Sequence, residues 1–363
     1  MKIFNKYVPN LPANLNLVER EDIQNFVNRI FDDLRDEEKA LIAKIDLHHE
    51  ATLVHSVMVA HDVEYIATRL SYSKDEIKAL TIAALLHDAG KLKIHDTVLD
   101  LGDKFELEKI WKFSYPKKSF PKNPMMDITV SDLINYKAKF ESKDENVYIF
   151  TYLEWMKERE VSDFLNQPLR VYLEYHQEGT RLELEKIGVS SDLIKYAAAH
   201  HPTYFTEDLR GKLPKEAKII EIADKFNAIM QTEGIRHYAS KKTRTEAMLI
   251  IIDALEKKYA KHNLFFESFE EEIMKILVEK YFTKDDVLKD LLPKVKFAIA
   301  NGEKISDIKE TERLIALLIV ILSFSKEFDE ALIHDLYFME NKLLDILDNI
   351  FEKTKEKEYK LAA

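Results

Sequence analysis

Leu85-Leu86-His87-Asp88-Ala89-Gly90-Lys91 is an apolar run that ends in an adjacent imidazole and carboxylate, followed by a glycine and a lysine. The His-Asp pair alone says little, because His61-Asp62, His95-Asp96 and His334-Asp335 repeat it elsewhere. Its context sets it apart. Upstream, Ser73 and Glu76 have the spacing of a capping box, and Ile77, Leu80, Ala84 and His87 continue one helical stripe. That stripe points at a core, so His87 and Asp88 are expected to arrive buried. Gly90 is expected to stop the helix, and Lys91 to leave its last turn with a cation beside the pair. A buried His and Asp with a lysine alongside need a partner, which a divalent metal plus a phosphate would supply.

Working outward, the composition is that of long helices. Seven glycines and nine prolines in 363 residues leave few turns, and Lys, Glu, Leu, Ile and Ala dominate between them, so the fold class expected is all-α. The absence of cysteine excludes disulfides and thiolate metal sites, leaving His, Asp and Glu as ligands. A net charge of −11 argues against a general nucleic-acid binder. The longest apolar run, Leu314 to Leu322, is about half of what spans a bilayer, and the N-terminus lacks the pattern of a signal peptide. A cytoplasmic protein is expected. Lys360-Leu361-Ala362-Ala363 looks like the start of a vector-encoded tail.

The organisation expected is an N-terminal helical extension over residues 1–45, a catalytic domain over 46–285 with an insertion at about 112–167, and a C-terminal helical region over 286–359. In the extension, Ile23, Phe26, Ile30 and Leu34 form one stripe. His55 then lies on an apolar face with Met58, Val59, Val63, Ile66 and Leu70, while His61 falls on the flank and is expected to be solvated. The insertion interleaves Trp111, Phe113, Tyr115 and Phe120 with Pro116, Pro121 and Pro124; it reads as irregular and then helical, either a lid or a segment packing its own cluster. Pro168 begins a helix in which Leu169, Tyr172 and His176 share a face. Ser190-Ser191-Asp192 begins the next, which ends in Ala197-Ala198-Ala199-His200-His201. Asp224 shares a stripe with Ala217, Ile220 and Ala223. The helices after residue 286 can cap the core or pair with a second copy of the chain as a homodimer.

His55, His87, Asp88, His176, His200, His201 and Asp224 are thus seven candidate ligands, each on or ending a buried stripe. One metal cannot use seven. Two can if Asp88 bridges them, as a carboxylate can and a histidine does not. Five histidines with two carboxylates suit Fe, Mn, Co or Zn better than Mg or Ca, with iron or manganese favoured. A pair of divalent ions ~3.5–4 Å apart activates water and clamps an in-line displacement at phosphorus. Lys91 would neutralise a non-bridging phosphate oxygen, and Arg236, Lys241 and Lys242 could hold a second phosphate; the plain reading of those three is a solvated basic face.

The order His55, His87-Asp88, Asp224 resembles the HD superfamily of metal-dependent phosphohydrolases, and His176 with His200-His201 looks like its HD-GYP branch. Three segments carry the likeness: AALLHDAGKLKIHDTVL (residues 83–99), HQEG (176–179) and LPKEAKIIEIADKFNA (213–228), with Arg236 and Tyr238 echoing a further family segment. The resemblance spans roughly 50–285. It implies an all-helical HD-domain-like core, a dinuclear or trinuclear iron or manganese centre with the seven residues as ligands, Lys91 as the lysine on the phosphate side, and hydrolysis of cyclic di-GMP. There are departures. Where the branch carries a glutamate and a Gly-Tyr-Pro loop, this chain has the shorter Pro202 to Gly211; where trinuclear members carry a glutamate, it has Ala51, with Glu50 one residue off; and His95 replaces a proline. These features imply a dinuclear phosphodiesterase acting on cyclic di-GMP or a related cyclic dinucleotide, with Lys91 and Asp88 as its catalytic residues. The alternatives are hydrolysis of another phosphoester or nucleotide, a di-iron oxygenase of the HD fold, and a non-catalytic nucleotide sensor.

Overall fold

Helix α4 (Lys74–Leu86) begins as its sequence predicts. Ser73 Oγ accepts from the Glu76 amide, and the Glu76 carboxylate accepts from the Ser73 amide at 2.8 Å, so two amides at the helix start are satisfied reciprocally. The structure, a computed structural model, describes residues 17–101, 104–201, 214–230 and 268–281, with His334 and Phe338 beyond them. Every regular element among these residues is helical; a lone bridge joins Thr129 to Pro168. The all-α class read from the composition is the class observed. No described helix is long and apolar enough to cross a membrane. The chain divides into two compact units, Met1–Lys242 and Thr243–Ala363.

In the first unit, helix α3 (Glu50–Arg69) is buried on every side from Thr52 to Ala60, the mark of a core helix. It packs on α4, on α2 (Asp36–His48) and on α13 (Lys215–Met230). Helix α1 (Leu17–Asp33) lies against α3 and buries Ile23, Phe26 and Ile30, the stripe expected from the sequence. This cover corrects the expectation for His61. Its side chain is only 12% exposed, edge-on to Phe26 with its Nε2 3.0 Å from Asp22, because α1 covers the flank that the sequence leaves open.

After α4 the backbone passes His87 and Asp88 and enters a 3-10 helix, Ala89–Lys93, which packs on α11 (His176–Lys186). Here the glycine has a different task from the one expected. Gly90 does not adopt the left-handed conformation of a helix stop; a Cβ on it would lie 1.7 Å from the His176 carbonyl oxygen and 2.3 Å from the Thr180 amide nitrogen. Backbone meets backbone at this point, with Gly179 facing Gly90, and only a glycine permits it.

The segment from α5 (Asp96–Leu99) to α10 (Leu169–Glu174) contains α6 (Lys104–Ser114), α7 (Pro124–Asp127), α8 (Val130–Phe140) and α9 (Glu145–Glu158). Residues 112–167 are therefore mostly helical, where an irregular first half was expected. They pack a cluster of their own around Trp111, Ile134, Tyr152, Met156, Leu169 and Tyr172. Helix α12 (Ser191–Ala198), capped by Ser190, packs on α4, α11 and α13. In the second unit, α14 (Ser268–Tyr281) buries Ile273, Met274, Ile276 and Leu277. Residues 1–16 and 360–363, and all of 286–359 but His334 and Phe338, lie outside the described residues.

Candidate metal centre

Five separate segments deliver side chains to one buried point. His55 comes from the middle of α3, His87 and Asp88 from the end of α4, His176 from the first turn of α11, His200 and His201 from just past α12, and Asp224 from α13. All seven expected donors therefore converge. They fall into two groups able to hold a metal ion, His55 with His87 and Asp224, and His176 with His200 and His201; a third grouping joins His87, Asp88 and His200 across them.

Asp88 sits between the two. Its Oδ2 faces His87 Nε2 at 3.4 Å and His55 Nε2 at 3.9 Å, and its Oδ1 faces His176 Nε2 at 3.7 Å. Asp224 uses one oxygen on His55 Nε2 at 2.7 Å and the other on His201 Nε2 at 3.1 Å. Lys91 Nζ donates to Asp88 Oδ2 at 2.6 Å, and with 15% of its side chain exposed it stands at the edge of the group. An ammonium has three protons to donate, so this contact leaves others for a phosphate oxygen.

The tautomers follow from the backbone. The Nδ1 atoms of His87, His176 and His200 lie 2.7, 2.6 and 2.6 Å from the carbonyl oxygens of Ala84, Leu173 and Ala197. A carbonyl only accepts, so each Nδ1 carries a proton and each ring turns its Nε2 inward, the arrangement typical of metal-bound histidine. His176 Nε2 and His200 Nε2 then stand 3.3 Å apart, two lone pairs facing each other. His87 Nε2 is buried without a hydrogen-bond partner among the described residues. Facing lone pairs and a buried orphan nitrogen are unfavourable in themselves and are relieved by a cation placed among them. The donor set fits a borderline transition metal.

The electrostatics agree. Burial, opposed by Asp88, lowers His176 to about 4, and burial with the neighbouring histidines holds His200 well below its ordinary value. His201 is lowered by burial as well. For His87 the cost of burial is outweighed by Asp88 and Asp224, and its pKa is raised. Burial pushes Asp88 up, but Lys91 and then His87, His176 and His55 hold it well below the usual carboxylate range. Asp224 is held down against burial by His201, His55 and His87.

Other expectations lie elsewhere. Arg236, Lys241 and Lys242, and the segment 202–211 that replaces the Gly-Tyr-Pro loop, fall outside the described residues. Glu50 is exposed at the start of α3. His95 stacks on Tyr152 at 4.1 Å between ring centres and caps α5, so it serves the insertion's cluster.

Two residues of the site escaped the sequence. Thr180 Oγ1 donates to the His87 carbonyl at 2.8 Å and accepts from the Gly90 amide at 2.9 Å, tying the His-Asp turn to α11. Gln177 Nε2 donates to the His201 carbonyl at 2.7 Å. For Thr180 the signal was present, because Gly179 and Thr180 stand three and four residues after His176 and so share its face of α11; Gln177, one residue after, gives none.

Residues 52–229 match the HD domain family. No curated protein matches the chain in sequence. A solved structure, the HD domain of the L. monocytogenes phosphodiesterase PgpH in complex with cyclic-di-AMP, is similar at 16% identity, covering 68% of this chain and 98% of that one with a TM-score of 0.36.

Proposed function

We propose, for a chain that carries an HD domain over residues 52–229 and is a metal-dependent phosphohydrolase of that superfamily, that its centre holds two metal ions and that its reaction is hydrolysis of a cyclic dinucleotide. The observation that carries the dinuclear reading is the placement of Asp88, one oxygen toward His55 and His87 and the other toward His176. His55, His87 and Asp224 would hold one ion, His176, His200 and His201 the other, and Asp88 would span them. Iron or manganese suits five imidazoles with two carboxylates. When bound, a pair of divalent ions supplies an acidified water and neutralises charge at phosphorus.

The chain's own groups do the rest. Buried Asp88 and Asp224 are held as anions and His176, His200 and His201 as neutral rings, the forms that coordinate. Lys91, held 2.6 Å from Asp88, orients an ammonium toward a non-bridging phosphate oxygen. The order of ligands along the chain supports cyclic di-GMP or a relative as substrate, with Arg236, Lys241 and Lys242 contributing to a second phosphate. A homodimer through the helices of 286–359 is part of the same reading.

The test is metal analysis of protein purified without chelator, beside hydrolysis of cyclic di-GMP and cyclic di-AMP followed as release of the linear dinucleotide. Two ions per chain are expected, with turnover that Asp88→Asn abolishes together with the metal. A single tightly bound ion would overturn the dinuclear reading. Turnover of other phosphoesters but of no cyclic dinucleotide would overturn the substrate; the replaced loop at 202–211 favours that second reading.

A further inference from the structure

The 3-10 turn that carries Lys91 also carries Lys93, whose surroundings the metal centre does not explain. Lys93 is 5% exposed. Its Nζ donates to the Arg159 carbonyl at 3.1 Å, and among the described residues no carboxylate comes within ion-pair distance of it. A buried ammonium that donates to a carbonyl has only the more distant charges of Glu183 and Glu160 to offset its burial. It lines a cavity of about 550 Å³ with the cations Lys44, Arg159 and Lys186 and the carboxylates Glu158, Glu160 and Glu183, and none of the seven metal donors lines it.

The cavity is built into the fold. Arg159 reaches from the end of α9 with its Nε donating to the Leu92 carbonyl at 3.2 Å and its guanidinium 4.5 Å over the Trp155 ring. His48, at the end of α2, donates to the Ile94 carbonyl at 2.8 Å and stacks on the same indole. Arg159 thus uses Nε on the backbone, while its nearest carboxylate, Glu158, is 3.8 Å away on the exposed side. Lys186 is 60% exposed at the mouth and paired with Glu183 at 2.7 Å. A point charge, a planar fork and a second, exposed ammonium around one opening match the several oxygens of a phosphoryl group better than the two of a carboxylate.

We propose that this cavity binds a phosphate-bearing small molecule, its phosphoryl oxygens taken by Lys93, Arg159 and Lys186, at a location separate from the metal centre.

Trp155 provides the readout, since an anion that draws on Arg159 changes the charge above its ring. The full chain, stripped with chelator so that no metal can hold the anion, is titrated with inorganic phosphate, and with succinate at matched ionic strength, while indole emission is followed. A saturable response to phosphate is expected. Lys93→Met should raise its half-saturation about tenfold, as expected for losing a charge-assisted hydrogen bond, and Lys186→Ala, at an exposed position that leaves the fold intact, should raise it several-fold. Trp155→Phe should remove the signal. The proposal is overturned if phosphate gives no saturable response, if succinate matches it, if Lys186→Ala titrates like the parent, or if the response requires metal.

Discussion

Gly90→Ala should be far more damaging than a glycine-to-alanine change usually is. The new Cβ would lie 1.7 Å from the His176 carbonyl oxygen and 2.3 Å from the Thr180 nitrogen, both backbone atoms that cannot rotate away. A carbon–oxygen contact is normally ~3.3 Å or more, so the turn and α11 must separate by roughly 1.5 Å. Metal sites tolerate errors of about 0.2 Å in ligand distance. His87 and Asp88 lie on one side of the opened seam and His176 on the other, so the variant should lose metal as well as stability. Overpacking of this kind costs about 3 kcal/mol or more, which lowers Tm by about 6–12 °C in a unit of this size. Gly188→Ala is the comparison. That glycine has φ +63° and open space around it, so alanine there costs only the left-handed backbone, about 1 kcal/mol, and should leave metal content unchanged. Thermal unfolding of the chelated proteins gives the stability, and elemental analysis of proteins purified without chelator gives the metal. A Gly90→Ala protein with parental Tm and metal content would refute the close-packing argument. A loss no larger than that of Gly188→Ala would return Gly90 to the helix-stop role.

Thr180→Val keeps the β-branched shape but deprives the His87 carbonyl and the Gly90 amide of the hydroxyl between them. It should cost about 1–3 kcal/mol and weaken metal binding about 10- to 100-fold, measured by chelator competition, with Thr180→Ser restoring both. Lys91→Met should lower kcat by about 10²–10³ while metal content stays at the parental level; an unchanged kcat would remove the lysine from the mechanism. In the metal-free protein His176, lowered to about 4 by burial, and His200 and His201, lowered also, resist protonation that the unfolded chain accepts below about 6.5. The unfolded state then binds more protons, so stability is complete above that pH and falls as the pH drops toward 4. His87, whose pKa is raised, opposes this with one proton against three. Urea midpoints of chelated protein that rise between pH 6.5 and 4.5 would contradict the assignment.

The ligands were legible because each violates its surroundings. A histidine or aspartate on an apolar stripe, as at His55, His87 or Asp224, is a local contradiction that only a partner resolves, and periodicity exposes it one helix at a time. Capping shows in the same way, since Ser73 and Glu76 act over three residues. What stayed hidden depends on contacts across the chain. The reason for Gly90 is the backbone of His176 and Thr180, some ninety residues on, and His61 is covered by a helix whose register against α3 no local pattern states. His95 replaces a family proline close in sequence to His87, but the chain turns at the cap of α5 and delivers the ring to Tyr152. Lys93 carries no local sign of burial for a related reason: its ammonium meets the Arg159 carbonyl from the insertion, far along the chain.

The same packing bears on how metal and fold depend on each other. The seven donors come from α3, the end of α4, α11, the end of α12 and α13, and the shortest contact among them is that of His55 with Asp224 at 2.7 Å. Buried Asn227, one turn after Asp224, donates to buried Asp62 on α3 at 2.7 Å, so the α3–α13 pairing has a polar lock of its own and should persist without metal. The half built from His176, His200 and His201 has a tie of its own, from Gln177 Nε2 to the His201 carbonyl at 2.7 Å, but it holds the backbone and leaves the rings to each other. Two of its rings oppose lone pairs at 3.3 Å, and the carboxylates nearest to it, Asp88 and Asp224, come from other segments. A cation there removes a repulsion, while one beside His55 replaces an existing contact. Metal binding should therefore tighten α11 and the end of α12 more than α3 and α13. Hydrogen exchange compared between chelated and metal-replete protein should show the larger gain in protection over 176–201; equal gains over 52–67 would mean that the two halves are equally in need of the ion.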